Sequence, residues 1–118
     1  RYLSPWSEEG VEQSEFTIDW MREKAGSGEY LITLHADAER RADGLELADI
    51  EEAFGTGAIV EDYPDDPRGH SCLVWGKAGG KDIHLVCGRS RSGWLAIITV
   101  YIPQSPKWLT PTTRRGNP

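Results

Sequence analysis

The sequence predicts an α+β domain: N-terminal helices packed on one face of an antiparallel, mostly meander β-sheet of about four strands. Three observations predict it. Up to Gly57 the apolar residues recur at helical spacing. From Ala58 onward they alternate or run in short stretches broken by glycine-rich turns. The chain has 118 residues, 38% apolar with five tryptophans, enough for one modest core.

Residues 1–14 mix Pro5, Gly10 and acidic side chains without periodicity, and read as an arm that adds packing through Trp6. Residues 15–118 read as the single domain. Ser14 is a candidate cap for a first helix carrying Phe16, Ile18, Trp20 and Met21, ended by Gly26, Ser27 and Gly28. Tyr30 to Leu34 reads as a short extended element or a continuing turn, and His35 to Ala42 as a second helix stopped near Gly44. Leu47, Ile50, Ala53 and Phe54 mark one face of a third helix, with Glu46, Asp49, Glu51 and Glu52 outside it. Strands are expected at Ala58–Tyr63, Ser71–Gly76, Asp82–Gly88 and Trp94–Pro103. The run from Pro64 to Gly69 is a solvated turn.

A hairpin centred on Gly79 and Gly80 sets Cys72 opposite Cys87 and Trp75 opposite His84. A four-residue loop, Ser90 to Gly93, sets His84 opposite Thr99 and Asp82 opposite Tyr101. Side chains alternate between faces. One face then carries Cys72, Val74, Ile83, Leu85, Cys87, Ala96, Ile98 and Val100 and meets the helices. The other carries Leu73, Trp75, Val86 and Ile97 together with His84, Thr99 and Tyr101. Periodicity alone favours an ordinary surface histidine beside strand-forming Thr and Tyr. A shared active surface is the sharper alternative.

Charge and motifs exclude several classes. Lys and Arg number 13 against 19 Asp and Glu, a net charge of −6, so nucleic acid would have to meet a local basic patch. Lys77, Lys81, Arg89, Arg91, Lys107, Arg114 and Arg115 supply one late in the chain, with Tyr101 and Trp108 among them. No apolar run approaches the roughly 20 residues of a membrane span. No secretory leader is recognisable at the start. The two cysteines leave the compartment open, with a cytoplasmic location expected. They read as small core residues, a cross-strand disulfide being the alternative in an oxidising compartment. His35, His70 and His84 show no metal-ligand spacing with one another or with the cysteines, so no metal and no cofactor is expected. Phosphate-loop, dinucleotide and nucleophile-elbow patterns are absent.

From about Phe16 onward, ordered blocks of residues carry a family resemblance. They are His35–Arg40, Asp43-Gly44-Leu45 leading to Ala48–Ala53, and Ile59–Pro64. After these come Cys72-Leu73-Val74 with Gly76, His84–Cys87 and Ile98–Pro103, then Trp108 and Arg115. With these blocks the chain resembles the bacterial family named domain of unknown function 4258. Members of that family resemble small toxins of the barnase–EndoU–colicin–RelE ribonuclease superfamily (the RelE/BECR-like fold). Some are thought to sit beside a zinc-finger antitoxin of the MqsA (YgiT) type. The resemblance implies a metal-independent RNA endonuclease, the toxin of a toxin–antitoxin pair. The alternative is a non-catalytic module that docks a protein partner on its sheet face. Many members carry arginines in the histidine helix at positions that correspond to Glu39 or Asp43, whereas here Arg40 and Arg41 stand one place away. Toxins of this superfamily that act on ribosomes are usually basic, and this chain is acidic.

Under that reading His84 and His35 are the acid/base pair, because imidazole titrates near neutral pH. Tyr101 and Thr99 hydrogen-bond the phosphate or the leaving oxygen. Arg40, Arg114 or Arg115 neutralises its charge, and Trp75 or Trp108 stacks a base.

Overall fold

The computed structural model describes residues 16–104 and 108–114. Helix α1 spans Ile18–Gly26 and starts at Thr17, whose hydroxyl accepts from the Trp20 N–H at 3.1 Å. Ser14, the cap expected from sequence, and Trp6 lie outside the described residues. Strand β1 (Tyr30–Ile32) is followed by α2 (Leu34–Ala42), capped by Thr33, and α3 (Leu47–Thr56). At the start of α3 the Asp49 carboxylate accepts from the Glu46 N–H at 2.8 Å. Strands β2 (Ala58–Tyr63), β3 (Ser71–Ala78), β4 (Lys81–Arg89) and β5 (Leu95–Tyr101) follow. A short hairpin of β6 (Trp108–Thr110) and β7 (Thr113–Arg114) comes last.

The α+β class is as the sequence predicts, with one strand more. The sheet has five strands in the order β1-β5-β4-β3-β2. It is mixed, because β1 runs parallel to β5. Tyr30–Ile32 is thus the short extended element, joined to the edge that a four-strand meander would have left open.

Register explains what faces where. Gly79 and Gly80 have φ of +57° and +78°, the pair a two-residue type I′ turn requires. All pairs of β3 with β4 therefore fall as expected, from Ser71 opposite Gly88 to Ala78 opposite Lys81. Between β4 and β5 the expectation fails twice. The first pair is Arg89 with Leu95, so the loop takes one residue more, and the register shifts again beyond Val86/Cys87. His84 consequently faces Tyr101 and Val86 faces Thr99. A one-residue slip exchanges the faces of a strand and a two-residue slip restores them. Leu95 and Ile97 therefore enter the core, while Ala96 and Ile98, expected there, are only half-buried. Val100, Thr99 and Tyr101 keep their expected sides.

The core lies between the sheet and the helices, with Met21, Ile50, Phe54, Val74, Leu85 and Ile97 fully buried. Cys72 and Cys87 belong to it as free thiols with Sγ atoms 3.9 Å apart. The hydrogen bond to Cys72, reinforced by burial, pushes the Cys87 thiol well up from its ordinary range. Helix α3 approaches β3 so closely that a Cβ at Gly76 would sit 1.9 Å from the Ala53 carbonyl oxygen. Helix α2 closes the β5 edge beyond β1. The Glu39 carboxylate accepts from the Val100 N–H and that of Asp43 from the Ile102 N–H, each at 3.0 Å. Unpaired edge donors that would invite another chain are thereby satisfied. No helix among the described residues is long and apolar enough to cross a membrane.

Two glycine substitutions test this packing. Gly76→Ala is expected to lower stability by about 2 kcal/mol or more, since neither backbone can yield. Gly55→Ala, on the open side of α3 with nothing within 4 Å, should gain about 0.5 kcal/mol from helix propensity. Denaturant melts of both variants check it; equal effects would contradict the close approach of α3 to β3.

Candidate functional site

The alternation of β3, β4 and β5 sends one set of side chains away from the helices. One row across this outer face reads Trp75, His84, Tyr101, and the adjacent row reads Glu61, Leu73, Val86, Thr99. His84 and Tyr101 are the most closely associated of the expected site residues. Their rings meet edge to face with centroids 5.3 Å apart, and His84 Nδ1 lies 3.2 Å from the Tyr101 hydroxyl. The other ring nitrogen, Nε2, is 2.5 Å from the Pro111 carbonyl oxygen. A carbonyl only accepts, so Nε2 carries a proton, and in the neutral ring Nδ1 accepts from Tyr101.

Pro111 belongs to the turn between β6 and β7, so this hairpin lies over the imidazole. His84 is fully buried. The ring thus sits on the expected face beside the expected tyrosine, but it is not on an exposed surface. Thr99 shares the face one row away, opposite Val86 rather than His84. Trp75 stands directly opposite His84, and its indole Nε1–H donates to Asp82 at 2.9 Å.

Glu61 and Tyr63 fall in the block Ile59–Pro64 that carries the resemblance, but they were not among the expected site residues. Both lie on β2 and face outward, as the partners of Leu73 and Ser71. The Tyr63 hydroxyl donates to the Glu61 carboxylate. The signal was present as polar residues two apart on an expected strand, beside the turn rich in Pro and Asp. The bulge between Ile59 and Glu61 is what turns Glu61 to this face. Glu61 and His84 stand two strands apart, roughly 10 Å of sheet.

The remaining expected residues go elsewhere. His35 is two-thirds exposed on α2, 3.3 Å from Glu39, and does not join His84. Arg40 is mostly buried, with Nε 2.7 Å from Asp37 and Nη1 donating to the Leu45 carbonyl at 3.0 Å. It straps the end of α2 to the following loop. Trp108 and Arg114 fall in the hairpin over His84, and Arg115 lies outside the described residues. Glu39 and Asp43 cap the β5 edge. Among the described residues no three His, Cys, Asp or Glu side chains gather as a metal ion would require.

Residues 32–102 match the family described as Domain of unknown function (DUF4258). No curated protein and no solved structure was found to match the chain.

The Trp75–Asp82 contact has a pH signature. The indole donor, aided by Lys77 at 3.3 Å, holds the Asp82 carboxyl below its ordinary range against a partial cost of burial. The folded state therefore favours the ionised form. Its contribution to stability is complete above about pH 4, the ordinary aspartate value, and is lost as the pH falls through the lowered one. Trp75→Phe should raise the Asp82 pKa toward that ordinary value in a carboxyl-carbon NMR titration. An unchanged titration would remove the contact.

Proposed function

The chain belongs to the DUF4258 family, and we propose that it is a metal-independent RNA endonuclease, the toxin of a bacterial toxin–antitoxin pair. The observation that carries this reading is the outer sheet face. Two hydrogen-bonded pairs of proton-transferring side chains, Tyr63 with Glu61 and Tyr101 with His84, share it.

Cleavage without metal needs a base for the 2′-hydroxyl, an acid for the leaving 5′-oxygen, and donors for the charge on phosphorus. Glu61 takes the first proton as the 2′-oxygen–phosphorus bond forms. His84, as imidazolium, gives its Nε2 proton to the 5′-oxygen as the phosphorus–oxygen bond breaks, and ends neutral. Tyr63 orients Glu61 by the hydrogen bond it donates, and Tyr101 holds Nδ1, donating to it in the neutral ring and accepting from it in the imidazolium. His35 sits on α2 and has no part in this scheme, so Glu61 replaces it as the partner of His84. The Pro111 carbonyl holds the position the leaving oxygen takes, so the β6–β7 hairpin moves aside for RNA. Arg114 and Arg115, carried by and just beyond that hairpin, neutralise the phosphate, and Trp75 offers a stacking surface. A zinc-finger antitoxin of the MqsA (YgiT) type is the proposed partner.

Burial of His84, with both ring nitrogens hydrogen-bonded, favours a second reading, in which the outer face docks a protein and performs no chemistry. Incubating the full chain with labelled RNA and a chelator separates the two. Cleavage is expected, and His84→Gln and Glu61→Gln should each lower it about 100-fold or more with unchanged circular dichroism. His35→Ala should cleave like the parent chain. Full activity of His84→Gln, or no cleavage by the parent, contradicts the endonuclease reading.

A further inference from the structure

On the other face of the sheet, where β4 ends beneath α1, lies a cleft of about 920 Å³. Phe16, Trp20, Lys24, His70 and Arg89 line it, together with the loop Ser90–Gly93. Arg89 follows Cys87 on the core side of β4, so the pleat directs it toward α1. Its guanidinium carbon lies 4.8 Å from the Trp20 ring centroid and 5.6 Å from that of Phe16. Stacked against two rings, the planar group is held in one orientation.

Its charge is unmatched. Among the described residues Arg89 makes no ion pair, and its Nη2 is removed from water with no hydrogen-bond acceptor. A charged donor left in that state is costly, and an anion relieves it. The neighbouring side chains differ. Lys24 is 2.9 Å from Glu29, and the His70 ring is 2.6 Å from Asp62, so each has an acidic partner. Arg91 is exposed on the loop and makes no ion pair among the described residues. The Ser90 and Ser92 hydroxyls lie 2.9 Å apart, and a positive φ of +87° at Gly93 turns this loop back toward β5. The absence of a side chain at Gly88 matters too. A Cβ there would sit 3.2 Å from the His70 carbonyl oxygen, so the glycine lets the His70 segment close on β4.

We infer that this cleft binds a phosphoryl group, with Arg89 and Arg91 as its charged donors and the hydrogen-bonded Ser90–Ser92 pair as its hydroxyl donor. Two guanidinium forks, with the one hydroxyl proton that the Ser90–Ser92 hydrogen bond leaves over, supply more donors than the two oxygens of a carboxylate take up, and they suit a tetrahedral oxyanion. The group is carried by inorganic phosphate or by a nucleic-acid strand. The cleft lies across the sheet from His84, so it stands independently of the proposed endonuclease site.

The test is NMR titration of the full chain at low salt, read at the Arg89 Nε–H and Trp20 indole N–H signals. One arm uses inorganic phosphate and another a short deoxyribonucleotide, which lacks the 2′-hydroxyl needed for cleavage; acetate is the control. Saturable shifts with either phosphate source, absent with acetate, are the expected result, and the arm that responds identifies the carrier. Arg89→Gln should weaken the affinity about tenfold or more. Arg91→Gln, outside the packed cleft wall, should weaken it less, and it keeps the test open should Arg89→Gln fail to fold. No shift in either arm, equal shifts with acetate, or undiminished binding by both variants overturns the inference.

Discussion

The geometry of both surfaces depends on the turn at Gly79 and Gly80. Two consecutive residues at positive φ impose one pairing on β3 and β4, and the pleat then decides every neighbour. Trp75 and His84 go outward, while Cys72, Val74, Leu85 and Cys87 go to the helices. Arg89, at the far end of the same strand, inherits the inner side and meets α1. A single slip in this hairpin would exchange the two faces and place an imidazole among aliphatics. No other local element carries so much of the structure's meaning.

A second constraint operates at the opposite side of the sheet. β5 would be an exposed edge, and it is closed in two ways: β1 pairs with its first half, and the carboxylates of α2 accept from N–H groups near its end. Asp43 and Glu39 thus hold a helix against backbone donors, a role an arginine cannot fill. This gives a physical reason for acidic residues at these two positions. It also accounts for the mostly buried ion pair of Arg40 with Asp37, which ties down the helix those carboxylates project from.

Much of this was legible in the sequence. The three helices, the four long strands and the whole β3–β4 register could be read because glycine and apolar spacing are local signals. The β4–β5 register could not. Its loop takes in Trp94, and the shift beyond Val86/Cys87 rests on how Leu95, Ile97 and Val100 fill the core, a tertiary preference. β1 was ambiguous for a related reason, since three residues acquire strand character only by pairing with a distant segment. The site was partly readable. The proximity of His84 to Tyr101 followed from alternation, even though the expected pairing was two residues off. Glu61 was hidden by the β2 bulge, and the cover over His84 by its origin in a hairpin far along the chain. Arg89 read only as one member of the late basic patch, because nothing local announces that Phe16 and Trp20 come to lie against it.

The central claim is that RNA is received on the outer face, where Glu61, Tyr63, His84 and Tyr101 stand. Chemical-shift mapping of the full chain with a non-cleavable 2′-O-methyl RNA tests it most directly. The account predicts saturable changes at those four residues and at Pro111 and Thr112 of the covering hairpin. Changes confined to other surfaces, with the His84 ring signals unmoved at saturation, would contradict it.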